Sequence, residues 1–156
     1  MREYNNIVGA QFIEPGKTKE FFRRKKLRLK HYDYRSDGYY FVTICTYKQK
    51  PNVARYKQEV ERILFSLPGR FNGLAIDWHI LMPTHIHVIF VFDKIRIKLG
   101  EVIRVFKSLV TKNTERPFWQ RNYYEHVIRT EDALLRMRRY IENNPLVEKL
   151  EFEEFY

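Results

Sequence analysis

Short apolar segments with two different periodicities alternate along the chain, and their order limits the folds that the chain can adopt. Four segments are rich in β-branched and aromatic residues, which is typical of strands. They comprise residues 39–47, 74–81, 85–92 and 123–128. Three other segments place apolar residues at helical spacing. They comprise residues 54–67, 99–110 and 130–143. The resulting order is strand, helix, strand, strand, helix, strand, helix.

The first six elements follow the split βαβ pattern. We therefore predict an α+β fold, a ferredoxin-like split βαβ sandwich with a mainly antiparallel sheet and two helices on one face. A last, C-terminal helix is added to this plan. Pro68-Gly69 should stop the first helix, whereas Thr130 should cap the last one, which should end near Pro145.

The length of 156 residues predicts one compact domain, which we place at residues 39–156, after a basic N-terminal arm at residues 1–38. The formal net charge of +10 favours a polyanionic partner, most commonly nucleic acid. In the arm, a dense run of cations could grip DNA phosphates or form a solvated tail, and both readings stay open. The run contains Arg23, Arg24, Lys25, Lys26, Arg28 and Lys30.

Cys45 is the only cysteine, which excludes an internal disulfide and a cysteine-based zinc site. Neither a signal-peptide apolar region nor a membrane-length apolar stretch is recognisable in the sequence. The simplest expectation is a cytoplasmic protein without a membrane partner.

His85 and His87 open a predicted strand just after Met82-Pro83-Thr84. Because strand side chains alternate, both imidazoles should point to one face. Two such imidazoles can serve as metal ligands, although the same spacing also occurs in purely structural pairs. A metal site would need a third ligand from elsewhere in the chain.

The last helix places Tyr140 and Asn144 four residues apart and therefore on one side. Leu134, Met137 and Ile141 form its predicted apolar stripe, with Asn144 at the edge, Tyr140 just outside it and Arg136 on the basic flank. On these residues alone, Tyr140 could equally be a boundary residue with a buried ring.

Five segments of the chain resemble the single-tyrosine HUH transposases of the insertion-sequence type, and most closely the REP-associated tyrosine transposases. They are YFVTICTY, LMPTHIHVIF, IRVFKS, WQRNYYEH and RRYIENNP, which span about residues 27–147 in the family's order. The most specific is LMPTHIHVIF, because two histidines flanking an apolar residue define the superfamily. This resemblance implies that Tyr140 is the nucleophile and that Asn144 is the third metal contact beside His85 and His87.

The resemblance also implies cleavage of single-stranded DNA at a hairpin through a 5′-phosphotyrosine, with magnesium or manganese as the metal. Manganese agrees better with imidazole ligands. Contacts to DNA are expected from Lys107, Trp119, Gln120, Arg121 and Arg136, although Trp119 may be read equally as a core residue. A homodimer and a monomer both remain open.

Two rival functions also remain open. One is a non-catalytic nucleic-acid-binding module, such as a domesticated transposase or an RNA-binding ferredoxin-like domain. The other is a metal-dependent hydrolase without a covalent intermediate, for which Asp77 is the nearby acidic strand residue. Tyr123 and Tyr124 are weaker nucleophile candidates, and His79 and His126 are expected to be core residues or neighbours of the site.

Overall fold

The computed structural model of the protein describes residue 28, residues 30–139 and residue 142. Its sheet has four strands in the order β2-β3-β1-β4, and every neighbouring pair is antiparallel. The strands are β1 (Gly38–Cys45), β2 (Leu74–Met82), β3 (His85–Phe92) and β4 (Tyr124–Ile128). This arrangement confirms the predicted ferredoxin-like split βαβ sandwich.

Four helices are present in the described part of the chain, together with a 3₁₀ turn at Tyr47–Gln49. They are α1 (Asn52–Arg55), α2 (Lys57–Arg70), α3 (Leu99–Asn113) and α4, residues 131–139. Two apolar clusters show where the helices pack. The larger joins residues of α2 and α3 to one face of the sheet, and the smaller joins α4 to the other.

The first predicted helix differs from the structure at both ends. It is interrupted at Tyr56, whose ring packs against Phe118 and whose hydroxyl donates to Glu115. Pro68 does not stop α2 but lies in its last turn. A proline there removes one backbone donor, and the turn still closes because the Phe71 amide donates to the Leu67 carbonyl at 3.0 Å.

Helix α4 begins where its sequence predicts. The Thr130 hydroxyl accepts a hydrogen bond from the Ala133 amide at 3.1 Å, which is an N-cap contact. Leu134 and Met137 are buried against Phe41 and Ile89 of the sheet, as the predicted apolar stripe requires. Ile141 and the predicted end near Pro145 lie outside the described residues.

Residues just before β1, which the sequence places in the arm, pack on the domain. Tyr32 and Tyr34 contact the larger apolar cluster, and the Tyr34 carbonyl accepts a hydrogen bond from the Leu99 amide at 3.0 Å. The folded unit therefore includes this stretch. Among the described residues, no helix is long and apolar enough to cross a membrane.

Candidate active site

His85 and His87 lie side by side at the start of β3, on the face of the sheet that α4 covers. Their ring centroids are 4.7 Å apart, and the rings meet edge to face. Ile86, between them, is buried in the opposite, larger cluster. The alternation predicted from the sequence is therefore correct. Both histidines are buried, His87 almost completely at 2% exposure.

A hydroxyl neighbours the Nδ1 atom of each histidine. Thr43, opposite His87 in the register of β1 and β3, places its Oγ1 2.8 Å from Nδ1 of His87. Thr84 places its Oγ1 3.1 Å from Nδ1 of His85. The Phe41 ring stacks on His87 at 5.4 Å between centroids. These contacts fix the plane of the His87 ring from two directions.

This arrangement suits a pair of metal ligands. Ligating histidines usually bind the metal through one ring nitrogen while the other bonds to a neighbouring polar group, which sets the tautomer. With Nδ1 directed to Thr43, Nε2 of His87 is the nitrogen that would bind a metal. Within the described residues, no His, Cys, Asp or Glu completes a three-ligand cluster with the pair. Asn144, the third ligand implied by the family resemblance, lies outside those residues.

The predicted nucleophile, Tyr140, also lies outside the described residues, whereas its two weaker rivals lie within them. Tyr124 is opposite Thr43 in β4, on the histidine face, and burial raises its pKa to about 12. Tyr123 packs against the larger cluster, and burial raises its pKa as well. At neutral pH, both phenols are therefore even less ionised than an ordinary tyrosine.

Two of the other candidate residues do not belong to the site. His79 is not a core residue: it is 27% exposed and contacts Phe65 and Glu61 of α2, across the sheet from His87. Asp77, the acidic ligand that a hydrolase would need, forms an ion pair with Arg138, five residues along β2 from Met82, the residue that pairs with His85. His126 is buried on the histidine face, with its ring 6.0 Å from that of Phe41.

The predicted DNA contacts of the arm are only partly described. Arg23, Arg24, Lys25 and Lys26 lie outside the described residues, and Lys30 is exposed. The guanidinium of Arg28 lies 3.5 Å above the Tyr123 ring and donates to the Tyr123 carbonyl at 2.9 Å. Arg28 therefore docks the arm against the start of β4.

A groove of about 600 Å³ lies between α3 and residues 116–121, and it contains most of the remaining predicted DNA contacts. It adjoins the end of β1, because the Gln120 amide donates to the Cys45 carbonyl at 2.8 Å, and Cys45 pairs with His85. Arg121 is exposed in this groove, and Arg116 adds a second exposed cation. The cationic groove thus lies on the α3 side of the sheet, at the end where β1 finishes and where β3 begins with the histidine pair.

Two groove residues have structural partners. Trp119 is buried against Phe106 and Phe118, which favours a role as a core residue over one as a DNA contact. The Lys107 ammonium donates to the carbonyls of Gln120, Arg121 and Asn122 at 2.7, 3.3 and 3.0 Å. Burial lowers the pKa of Lys107 to about 8. This lysine therefore holds the backbone of residues 120–122 that borders the groove. Arg136, on α4, is half-buried and does not line the groove.

Sequence reasoning did not identify Thr43. The sequence did contain a signal for it, because Thr43 is a polar residue inside the apolar strand YYFVTIC. It is two positions from Phe41, so both side chains point to the same face of the strand. Alternation placed it on the same face as the histidines once the register was known. The register itself, which brings Thr43 opposite His87, could not be read from one sequence.

Solved structures share this fold. A REP-associated tyrosine transposase, determined bound to a REP hairpin, superposes with a TM-score of 0.68 at 18% identity, over 79% of this chain and 73% of its own. A candidate transposase from Deinococcus radiodurans gives a TM-score of 0.50 at 18% identity, over 77% and 97%. The chain therefore has the fold of the tyrosine transposases, as its motifs suggested.

A protein of similar sequence shows the family to which the chain belongs. An uncharacterized protein of Haemophilus influenzae is 33% identical to this chain, aligned over 80% of the chain and 89% of its own length. The chain belongs to the same family as that protein. No family model matches the chain.

Proposed function

We propose that this protein is a metal-dependent tyrosine transposase that nicks and rejoins single-stranded DNA at hairpins. The observation that carries the proposal is the buried histidine pair, with His87 oriented by Thr43, on one face of a tyrosine-transposase fold. The cationic groove at the same end of the sheet supplies a surface for a polyanion.

The proposed nucleophile is Tyr140, assigned by motif. Its hydroxyl oxygen attacks the scissile phosphorus, the bond from phosphorus to the 3′ oxygen breaks, and that oxygen takes up a proton. The products are a 5′-phosphotyrosine and a free 3′-hydroxyl. Because the phosphodiester is exchanged rather than hydrolysed, attack by another 3′-hydroxyl rejoins the strands without ATP.

A phenol ionises at a pKa of about 10, so it needs help at neutral pH. Magnesium or manganese, held by His85, His87 and Asn144, would polarise the phosphate and offset its developing charge. The chain's own contribution is orientation. Thr43 and Phe41 hold His87, and Thr84 holds His85, before any DNA arrives.

The proposed substrate is single-stranded DNA next to a hairpin, and the hairpin part of this proposal is supported by the REP-associated neighbour, which is bound to a REP hairpin in its structure. Arg116 and Arg121 in the groove would contact its backbone, and the basic arm would add further phosphate contacts. The strand that leaves the histidine pair would run along this groove.

The test is covalent trapping on a hairpin oligonucleotide with a single-stranded flank, in the presence of manganese. The wild type should form a DNA–protein adduct that survives denaturing electrophoresis, and peptide mapping should place the DNA on Tyr140. Tyr140→Phe and His87→Ala should form none, and chelation by EDTA should abolish the adduct. Tyr123→Phe serves as the matched tyrosine control and should react like the wild type.

Each alternative gives a different result in this assay. DNA binding without any adduct would indicate a binding module. Metal-dependent cleavage that survives Tyr140→Phe would indicate a hydrolase. An adduct on Tyr124 would move the nucleophile to β4 and overturn the assignment of Tyr140.

A further inference from the structure

Strand β2 contains a bulge at Asp77. Ile76 pairs with Phe90 and Trp78 with Ile89, so Asp77 is an extra residue without a partner position on β3. The bulge changes which face successive side chains reach. Ile76 packs with the larger cluster, whereas Trp78 packs with the cluster beneath α4. Bulges of this kind redirect a side chain without ending the strand.

The carboxylate that the bulge presents binds Arg138 of α4. Arg138 Nε donates to Asp77 Oδ2 at 2.8 Å, and its Nη2 donates to Oδ1, so the pair is bidentate. The Asp77 side chain is only 14% exposed and that of Arg138 32%, which reduces screening by water. Bidentate arginine–carboxylate pairs fix direction as well as distance.

The pair joins the end of the described part of α4 to β2, one edge strand of the sheet. The helix starts at the other edge, after β4. Helix α4 follows β4, packs across Phe41 and Ile89, and reaches the β2 edge at Arg138. Its apolar contacts are non-directional and tolerate small shifts along or about the helix axis. The Arg138–Asp77 pair restricts both movements at the end of the described helix.

We propose that Arg138 and Asp77 are positioning residues for the nucleophile, and this inference rests on the proposed function. Tyr140 follows Arg138 by two positions in the sequence, so at most about 7 Å of backbone separates the two residues whatever its conformation. Fixing Arg138 therefore limits where the chain that carries Tyr140 can go. A misplacement of about 1 Å at a reacting group can lower a rate about 100-fold.

The test compares Asp77→Asn, Arg138→Gln and the charge-reversed double variant Asp77→Arg/Arg138→Asp. Each single variant should lower the single-turnover rate of adduct formation by about 10- to 100-fold. Hairpin affinity should stay within about twofold, because neither residue is assigned to DNA. The double variant should recover at least about tenfold over the slower single variant. Hydrogen exchange of the α4 amides should quicken in the single variants.

The matched control is the exposed pair Glu59–Arg62 on α2, also bidentate but across the sheet from the histidines. Glu59→Gln and Arg62→Gln should leave the rate unchanged. If the variants lose rate only in proportion to their loss of thermal stability, the Arg138 pair is merely structural. A loss of DNA affinity alone would make Arg138 a phosphate contact. Either result, or single variants with normal rates, overturns the inference while leaving a reactive wild type in place.

A wild type that forms no adduct would instead overturn the proposed function, and the positioning role would fall with it. The two failures are distinguishable because only the second is seen in the unmodified protein. Faster exchange in α4 would then still mark the pair as a contact of the fold.

Discussion

The hydrogen bond between Thr43 and His87 decides which ring nitrogen faces a metal. If Nε2 binds the metal, Nδ1 carries the proton and donates it to Thr43 Oγ1, and the separation of 2.8 Å suits that bond. Thr43 is 1% exposed, so no water replaces its hydroxyl easily. In the proposed site, Thr43 would therefore orient a metal ligand although it would touch no metal.

Replacing Thr43 by valine should weaken manganese binding by about 10- to 100-fold, the usual effect of losing such an outer contact. Calorimetric titration of the DNA-free protein measures this. Thr43→Ser keeps the hydroxyl and serves as the control, with near-normal affinity expected. Equal affinities for the valine variant and the wild type would remove Thr43 from the site.

Glu125 is a second residue whose surroundings change its chemistry, in this case the pKa of its carboxyl group. Its side chain is 0% exposed, and burial raises its pKa from an ordinary 4.5 to about 7. Tyr34 donates a hydrogen bond to it at 2.8 Å, and Arg28 lies 3.8 Å away, and both contacts oppose the rise. Between these pKa values, the folded protein keeps a proton that the unfolded chain has released.

Stability should therefore fall as pH rises from about 4.5 to 7, by about 3 kcal/mol for this group, and stay level above that range. Urea unfolding at pH 5 and pH 8 measures the difference. Glu125→Gln should remove most of this fall, whereas Glu142→Gln, at an exposed position, should retain it. An unchanged pH dependence in the Glu125 variant would contradict the assignment.

Among the elements, α4 connects the fold to the proposed chemistry. Its first turn combines the Thr130 cap with Glu131 and Asp132, which favour a helix N-terminus. Thr130→Ala should destabilise the protein by about 1 kcal/mol, because the Ala133 amide loses its acceptor. Thr130→Ser should cost little. Chemical denaturation measures both, and a neutral alanine variant would show that the start of α4 contributes nothing to stability.

Elements were more predictable from the sequence than the contacts between them. Periodicity identified all four strands and the apolar stripe of α4, because burial imposes it on the sequence directly. The same reasoning placed the end of α2 too early, at Pro68. A proline in the last turn removes only one backbone donor, and the turn still closes through the hydrogen bond from the Phe71 amide. The bulge at Asp77 left no signal of its own, and its pairing with Arg138 joins residues far apart in sequence.

The candidate site was predictable to a similar extent. His85 and His87 follow from alternation, because the spacing of two residues fixes their common face. Thr43 and the cage of carbonyls around Lys107 depend on register and loop path, which a single sequence does not contain. Trp119 illustrates the same limit: its motif fits a DNA contact, but its packing against Phe106 and Phe118 decides for the core.

For the whole molecule, charge is the property that most directly predicts a measurable behaviour. The net charge is +10, and the cations that can meet DNA are divided between the arm and the groove. Each phosphate contact that a cation makes releases counterions, so the logarithm of affinity falls with the logarithm of salt concentration, by about 0.7 per contact on a single strand. The slope of this salt dependence therefore measures the number of phosphate contacts, which the affinity at a single salt concentration does not.

Replacing Arg23, Arg24, Lys25 and Lys26 by alanine should lower the salt slope by about 2 to 3 if the arm grips phosphates. Arg116→Ala/Arg121→Ala in the groove should lower it by about 1. Fluorescence anisotropy with a hairpin oligonucleotide, from about 50 to 200 mM salt, measures both. Arg62→Ala/Arg70→Ala on α2 is the matched control for the groove variant, because it also removes two exposed cations and neither of them lines the groove. A wild-type slope for the arm variant would exclude the arm from the DNA path, and equal slopes for the control and groove variants would exclude the groove.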